Sequence, residues 1–523
     1  MTVPPDLLDN YRTNLGILAR REPRLHRLVR EAGTPDFEAA AGGRLTARIE
    51  GRYLESRYRA AAGGEPGETP CFLGSGMGYH INRLVSGGGP PAVLVEADPR
   101  AFAACLYVLE PRVLERLRLL VARDVEEVAA EPGLERCRLV RHRGSIALHP
   151  SYYRAVELHV ARRRAEQAAS RQTDAAAGSL WARNVIKNLP HLEDRCRTTG
   201  GLRGACRGAA ILVASGPFLE ESVGLLRAWQ ESLPVLALLP SLPYLLHQGV
   251  RPHLAVATDA GFWNRHRMVP GASTPLLATL SLDSVLFRSW PERLYLFSHQ
   301  LPLERELSFL ARCLQAPMQG TVAIVLILLA RAMGFTRLYL AGYDFCFDWI
   351  KDHHRGGGFD RFLDALACRL APRQTLAARR VRRAMRAPGT EGEPLYTDPA
   401  LLLYRSWLER EVPCGGLVRL NRGLAVRGVQ RSNRISEDPA GGCAGRFSRA
   451  LLECGEPVRR NEVLEDLDRL AGAIAGVAGG GIAGVAGPAG EREVRRRLEL
   501  RLRHTRERLR DTTGFGTTGH GES

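Results

Sequence analysis

The sequence predicts an α/β protein with mostly parallel sheets, and three stretches carry that expectation. Ala209 to Ala214 is a short apolar run broken by Ser215-Gly216-Pro217, after which Leu219, Val223 and Leu226 recur at helical spacing. Pro70 to Leu73 leads into Gly74, Gly76 and Gly78, and a further apolar run, Ala92 to Val95, closes on Glu96. Gly320 to Gly334 reads as a buried helix that feeds a strand, Arg337 to Ala341, ending at Gly342-Tyr343-Asp344. Short apolar runs alternating with helical periods make βαβ units, and such units build parallel sheets.

Composition bounds the rest. A chain of 523 residues has room for two to four domains. Its 45% hydrophobic and 25% charged residues are those of an ordinary soluble globular protein. The net charge of +17 comes almost wholly from Arg, with Lys only at 187 and 351. That one-sided usage reads as compositional bias and a solvated basic surface, so no nucleic-acid partner is expected. Nucleotides and acidic sugars remain compatible with it. Eleven dispersed Cys without a C-x-x-C pair read as reduced thiols of a cytoplasmic protein, and no metal site is expected from them. No signal peptide is apparent, and Val322 to Ala330 is too short for a transmembrane segment.

Taken in order, residues 1–68 read as a helical N-terminal region, with Leu7, Leu8, Tyr11, Leu15 and Leu18 on one stripe. A break follows at Gly63-Gly64-Glu65-Pro66-Gly67. Residues 69–150 form a Rossmann-like domain. Its glycines and Glu96 resemble those of class I methyltransferases and Rossmann proteins, where the acid takes ribose hydroxyls. Two readings stand: a nucleoside site formed by Gly74, Gly76, Gly78 and Glu96, or a domain kept as a scaffold. Residues 151–204 read as a helical connector in which Asn184 and Asn188 share a face.

Residues 205–430 make the central α/β domain. The turn Ser215-Gly216-Pro217-Phe218 after the first strand aims backbone N–H groups at a phosphate, with a helix dipole behind them. Further strands, Pro234 to Leu239 and Val250 to Asp259, close on Thr258 and Asp259. Thr321 opens the buried helix. Acids and a glycine turn at the carboxyl ends of parallel strands lie where open α/β sheets bind ligands. The run from Cys346 to Gly358 carries His353 and His354 ahead of three glycines, and Ala378 to Arg386 is dense in Arg. Tyr396-Thr397-Asp398 starts a helix that either Thr397 or Asp398 caps. Residues 431–470 read as a helical C-terminal region and 471–490 as a Gly/Ala linker. Residues 491–523 read as a basic helix and tail, with Val494, Leu498, Leu502 and Leu509 near one face. That helix is either solvated or turned to a partner or an anionic membrane surface.

The motifs Ala214 to Leu219, Gly249 to Asp259, Gly320 to Ala323, Gly342 to Asp344, and Tyr396 to Asp398 with Tyr404 resemble those of the Maf flagellin glycosyltransferases, the motility-associated factors. These are similar to a 6-hydroxymethylpterin diphosphokinase (the MptE-like proteins) and more remotely to bacterial sialyltransferases. The resemblance covers about residues 70 to 430. It implies transfer of a nonulosonic sugar from a CMP-sugar to Ser or Thr of flagellin, with CMP-sugar and flagellin as partners and no required cofactor. It also implies a His general base, His354 or else His353, and amides from Asn184 and Asn188 near the substrate. The chain departs from the family at Phe218, usually Ser, and at His253, usually Asp. Two other readings stay open: pyrophosphoryl transfer from ATP with Mg²⁺ on Asp259 and Asp344, and an inactive flagellin-binding accessory protein.

Overall fold

The structure, a computed structural model, describes residues 3–33, 35–40, 44–50, 52–54, 69–85, 91–193, 195–269, 272–318, 320–382, 384–436, 442–476 and 488–511. The break at Gly63 to Gly67, most of the Gly/Ala linker and the tail from 512 lie outside these. The chain forms two compact units, Met1–Ser170 and Arg171–Ser523.

The first unit opens on the helices Pro5–Arg21 and Pro23–Glu31. An antiparallel sheet follows, of β1 (Asp36–Ala40), β2 (Arg44–Ile49) and β3 (Arg52–Tyr53). These strands lie in the stretch read as helical. Leu45, Ala47 and Ile49 point alternately inward along β2, a period of two that the helical stripe of residues 7–18 overshadowed. The Rossmann-like part is a parallel sheet of β4 (Pro70–Leu73), β5 (Ala92–Glu96), β6 (Leu117–Val121) and β7 (Arg138–Arg141), in the order β6-β5-β4-β7. Its strands alternate between two cores. Phe72, Leu94 and Leu119 face the N-terminal helices, while Cys71, Leu73, Val93 and Val95 pack on Tyr153, Val156 and Val160 of the helix Pro150–Asn188.

The second unit is built on one large, wholly parallel sheet. Its strands are β8 (Cys196–Arg197), β9 (Ala209–Val213), β10 (Val235–Leu238), β11 (Leu254–Ala257), β12 (Leu276–Ala278), β13 (Leu294–Ser298), β14 (Leu314–Gln315), β15 (Arg337–Ala341), β18 (Leu417–Arg419) and β19 (Gln430–Arg431). A separate hairpin of β16 (Met385–Pro388) and β17 (Pro394–Thr397) precedes β18. The order is β14-β13-β12-β11-β10-β9-β15-β18-β19, with β8 on β13. Both faces are buried, which is why the strands read as continuous apolar runs. The helix Val322–Met333, apolar almost throughout, covers one face and ends on Gly334 at φ 106°. Side chains of β9 alternate around it: Ala210 and Leu212 meet that helix, Ile211 and Val213 the helix Val223–Trp229. Helices Cys443–Glu453, Arg460–Gly476 and Pro488–Asp511 close the unit. The last of them is not merely solvated, because Leu498, Leu502 and Leu509 are buried in the core. No helix among the described residues is long and apolar enough to cross a membrane.

Candidate active site

Leaving β9, the chain turns to one side for β10 and β11, then returns to the other side for β15. At such a switch point the connections diverge and leave a crevice outside the carboxyl ends of the strands. A cleft of about 440 Å³ lies there. It is lined by Ser215, Gly216 and Pro217 after β9, Pro240 after β10, Thr258 and Asp259 after β11, and Gly342 and Asp344 after β15. The three features expected at one sheet edge are therefore brought together.

Two amides of the glycine turn, those of Gly216 and Phe218, are spent within the protein rather than offered to the cleft. Gly216 N–H donates to Gly342 O at 2.9 Å, and Phe218 N–H donates to Asp344 Oδ2 at 2.7 Å. Asn421 Nδ2 donates to Asp344 Oδ1, and Gly342 N–H donates to Asn421 Oδ1 at 2.8 Å. A buried carboxylate thus takes the place foreseen for a phosphate. Gly216 is needed because a Cβ there would collide with the Asp344 carboxylate and the Gly342 carbonyl. Burial pushes the Asp344 carboxyl up to about 7, although the Phe218 amide and Asn421 both favour its charged form. The element after the turn is a 3₁₀ stretch, Leu219–Ser222, before the helix Val223–Trp229. Ser215 Oγ lies 3.1 Å from Ser241 Oγ, whose hydroxyl donates to Ala214 O.

Neighbouring histidines take opposite parts. The His354 ring is 1% exposed, tilts against Tyr244, donates through Nδ1 to Arg355 O at 3.1 Å, and does not line the cleft. Burial lowers its pKa to about 4, which leaves it neutral and weakly basic. His353 lines the cleft instead. Its Nδ1 lies 3.1 Å from Asp352 Oδ1, and Asp352 also lines the cleft. Carboxylate and imidazole stand within ion-pair distance of each other at the cleft. Of the two histidines that the resemblance offers as the base, His353 reaches the cleft and His354 does not.

Asn184 and Asn188 are buried and make no part of the cleft wall. Asn184 Nδ2 donates to Ala260 O and Ser281 O at 3.1 Å each, and Asn188 Nδ2 donates to Leu280 O at 2.9 Å and Leu282 O at 3.0 Å. Their amides fasten the loops after β11 and β12. Thr397 is buried and donates to Phe345 O at 2.9 Å. Asp398 caps the helix Pro399–Glu411 by accepting from Leu401 N–H at 2.8 Å, and it also lines the cleft. Thr321 caps the helix Val322–Met333, whose first turn opens on the cleft. The described Arg side chains of the run 378–386, Arg379, Arg382 and Arg386, are not among the cleft residues.

The two departures from the family pattern leave the cleft untouched. Phe218 is buried beneath Arg422, whose guanidinium sits 4.2 Å from the ring centroid. His253 stands before β11, at the amino end of the sheet, where its Nδ1 accepts from Val235 N–H at 3.1 Å. Asp259 and Asp344 do not make a ready Mg²⁺ pair. Asp344 is shut in by its donors, and Asp259 accepts from Gly261 N–H at 3.0 Å and from Trp263 Nε1 at 2.6 Å.

The glycine-rich loop of the N-terminal unit is filled by the protein's own side chains. Glu96 is fully buried and accepts from Ser75 N–H at 2.7 Å, Ser75 Oγ at 2.8 Å, Ser145 Oγ at 3.1 Å, Tyr153 OH at 2.8 Å and Asp98 N–H at 3.1 Å. Gly74, Gly76 and Gly78 have φ of 96°, 46° and 86°. A Cβ at Gly76 would meet the His142 ring, and one at Gly74 would meet Ser145. Of the two readings, this geometry fits the scaffold: Glu96 is taken up by the loop's own donors.

Residues 183–349 match the family model described as 6-hydroxymethylpterin diphosphokinase MptE-like. The Maf glycosyltransferase of Magnetospirillum magneticum AMB-1 has the same fold, with a TM-score of 0.61 at 14% identity over 96% of this chain and 94% of its own. The chain thus resembles the MptE-like family over its centre and shares the fold of that Maf glycosyltransferase. A protein of Treponema pallidum (strain Nichols) is 26% identical over 258 residues, 41% of this chain and 84% of its own. The MptE-like segment holds Arg267, which no motif or spacing in the sequence marks out. Arg267 lines the cleft with its side chain 15% exposed and its Nη1 3.7 Å from Asp259 Oδ2. The Asp352–His353 pair stands just beyond the end of that segment. Asp352 was equally missed, since an acid beside a histidine in a loop carries no periodic signal.

Proposed function

We propose that the protein is a glycosyltransferase that moves a nonulosonic, sialic-acid-like sugar from a CMP-sugar to Ser or Thr of flagellin in the cytoplasm. The observation that carries this reading is the Asp352–His353 pair in the wall of the switch-point cleft. The acceptor hydroxyl oxygen bonds to the anomeric carbon from one face as the bond from that carbon to the CMP phosphate oxygen breaks, so the configuration inverts. His353 Nε2 takes the hydroxyl proton while Asp352 steadies the imidazolium at Nδ1. Negative charge grows on the departing phosphate. Arg267 and the capped end of the helix Val322–Met333 supply the positive side, the helix end contributing about 0.3–1 kcal/mol when exposed and ~2 when partly buried.

Purified protein given CMP-nonulosonate and flagellin, followed by intact mass, tests the reading. The wild type is expected to add one sugar mass or more, and His353→Ala to add none. Full modification by His353→Ala rejects the mechanism. The MptE-like match favours a second reading, pyrophosphoryl transfer from ATP to a hydroxymethylpterin. Thermal stabilisation by ATP with Mg²⁺ but not by CMP-sugar would select it.

A further inference from the structure

A second cleft, of about 590 Å³, shares no lining residue with the first. It lies where the C-terminal helix Pro488–Asp511 packs beside the end of the helix Pro150–Asn188, with Thr505 Oγ donating to Ile186 O at 3.3 Å. The buried Leu498 and Leu502 fix that packing. Lys187, His191, Arg288, Arg501 and His504 line the cleft, and Glu507 is the one acid among the described residues that line it. Arg183 stands one helical turn before Lys187, and Arg497 one turn before Arg501.

Lys187, Arg288 and Arg501 meet at this cleft, and the described residues offer them no matching set of acids. Partial burial and the charges of Arg501, Arg183 and Arg288 hold the Lys187 ammonium below its ordinary pKa. Burial, Arg183 and Arg497 do the same to Arg501. The carboxylate acting on Lys187, Asp283, is already held by Arg265 at 3.1 Å and by the amides of Val285 and Leu286. Among the described residues, no ion-pair partner joins Lys187, Arg288 or Arg501. Crowded like charges repel, and a multiply charged anion between them turns that repulsion into attraction. Arg forks match phosphate oxygens two at a time, and an ammonium adds a point charge. A recess, rather than a flat basic plane, suits a compact ligand.

We infer that this groove binds a small, multiply charged phosphate compound of the diphosphate or triphosphate class, at a site distinct from the switch-point cleft.

Calorimetric titration of the full chain with inorganic pyrophosphate tests this. Saturable binding that weakens as NaCl rises is expected. A Lys187→Gln/Arg501→Gln variant is expected to bind at least tenfold more weakly, and Arg267→Gln, altered in the other cleft, to bind as the wild type does. Glu507→Gln, which removes the acid, is expected to bind several-fold more tightly. Because the double variant relieves repulsion, its melting temperature without ligand is expected to equal or exceed that of the wild type, so lost binding is not lost folding. The assignment is overturned by absence of pyrophosphate binding, by unchanged affinity in the double variant, or by loss in Arg267→Gln alone. Capture by phosphatidylglycerol vesicles without any pyrophosphate binding likewise overturns it, since the groove would then serve a lipid surface.

Discussion

Asp344 Oδ2 accepts a hydrogen bond from the Phe218 amide at 2.7 Å, tying the segment after β15 to the turn after β9. Asn421 holds the other carboxylate oxygen, so the strap spans three separate parts of the chain. Leaving a buried donor without its acceptor costs about 1–3 kcal/mol. Asp344→Ala strands two such donors, and a loss of roughly 2–4 kcal/mol is expected together with loss of transfer. Urea unfolding midpoints with a wild-type slope measure it; an unchanged midpoint would remove the strap from the account.

Two glycine substitutions separate the two turns. Gly216→Ala pushes a methyl into the Asp344 carboxylate and is expected to abolish both the strap and catalysis. Gly76→Ala pushes one into the His142 ring at a φ of 46°. It is expected to lower the melting temperature of the N-terminal unit by several degrees while purified, still-folded protein keeps its transfer rate. Nucleotide-dependent activity that disappears with Gly76→Ala would restore a ligand role to that loop.

The two histidines are separable by kinetics and stability. His353→Ala is expected to cost about 10²–10⁴-fold in kcat with an unchanged melting temperature. Asp352→Asn should give a smaller loss and shift the pH–rate profile. His354→Ala empties a buried site against Tyr244 and is expected to destabilise by about 2–4 kcal/mol. Equal rates for His353→Ala and the wild type would exclude this base.

Acid should loosen the N-terminal unit first. Burial lowers His80 to about 4 and His142 to about 3, below the unfolded value of about 6.5. The unfolded chain therefore binds protons that the folded unit excludes, and stability is lost as pH falls from 6.5 toward 4. Asp98, held down by Arg100 despite burial, adds a loss of the same sign in its own lower range. In the second unit, Asp344 and Glu304 are raised by burial to about 7, so their contribution runs the other way, fading as pH rises through 7. It opposes the buried His354, His253 and His299. Hydrogen exchange at pH 7 and pH 4.5 should show protection falling in residues 69–150 before 205–430. A His142→Asn variant, which keeps an acceptor for the Ser145 amide, should flatten that slope.

The strands and the site's address were legible because both follow from local pattern. Short apolar runs ending in glycine or acid mark parallel strands, and β9, β11 and β15 carry Gly216, Asp259 and Asp344 to one edge. The direction of each polar group was not legible. Whether the Phe218 amide faces a ligand or Asp344 depends on Asn421, which lies 77 residues beyond that acid. Asn184 and Asn188 share a helical face, yet the carbonyls they hold follow β11 and β12. His353 and His354 are adjacent in sequence, and only the path of the loop decides which ring meets the cleft. Glu96 shows the same limit: the fingerprint fixed its position, while Tyr153, 57 residues away, decided its use.

The strap from Asp344 to Phe218 and Asn421 divides labour in a way that bears on how such sites diversify. The groups that shape the floor of the cleft bond to one another, so on the proposed reading recognition falls to the loops at 258–268 and 345–358. A floor that depends on no ligand for its form tolerates drift in those loops. Grafting both loops from a relative with another donor sugar should therefore carry the preference across while the recipient refolds normally.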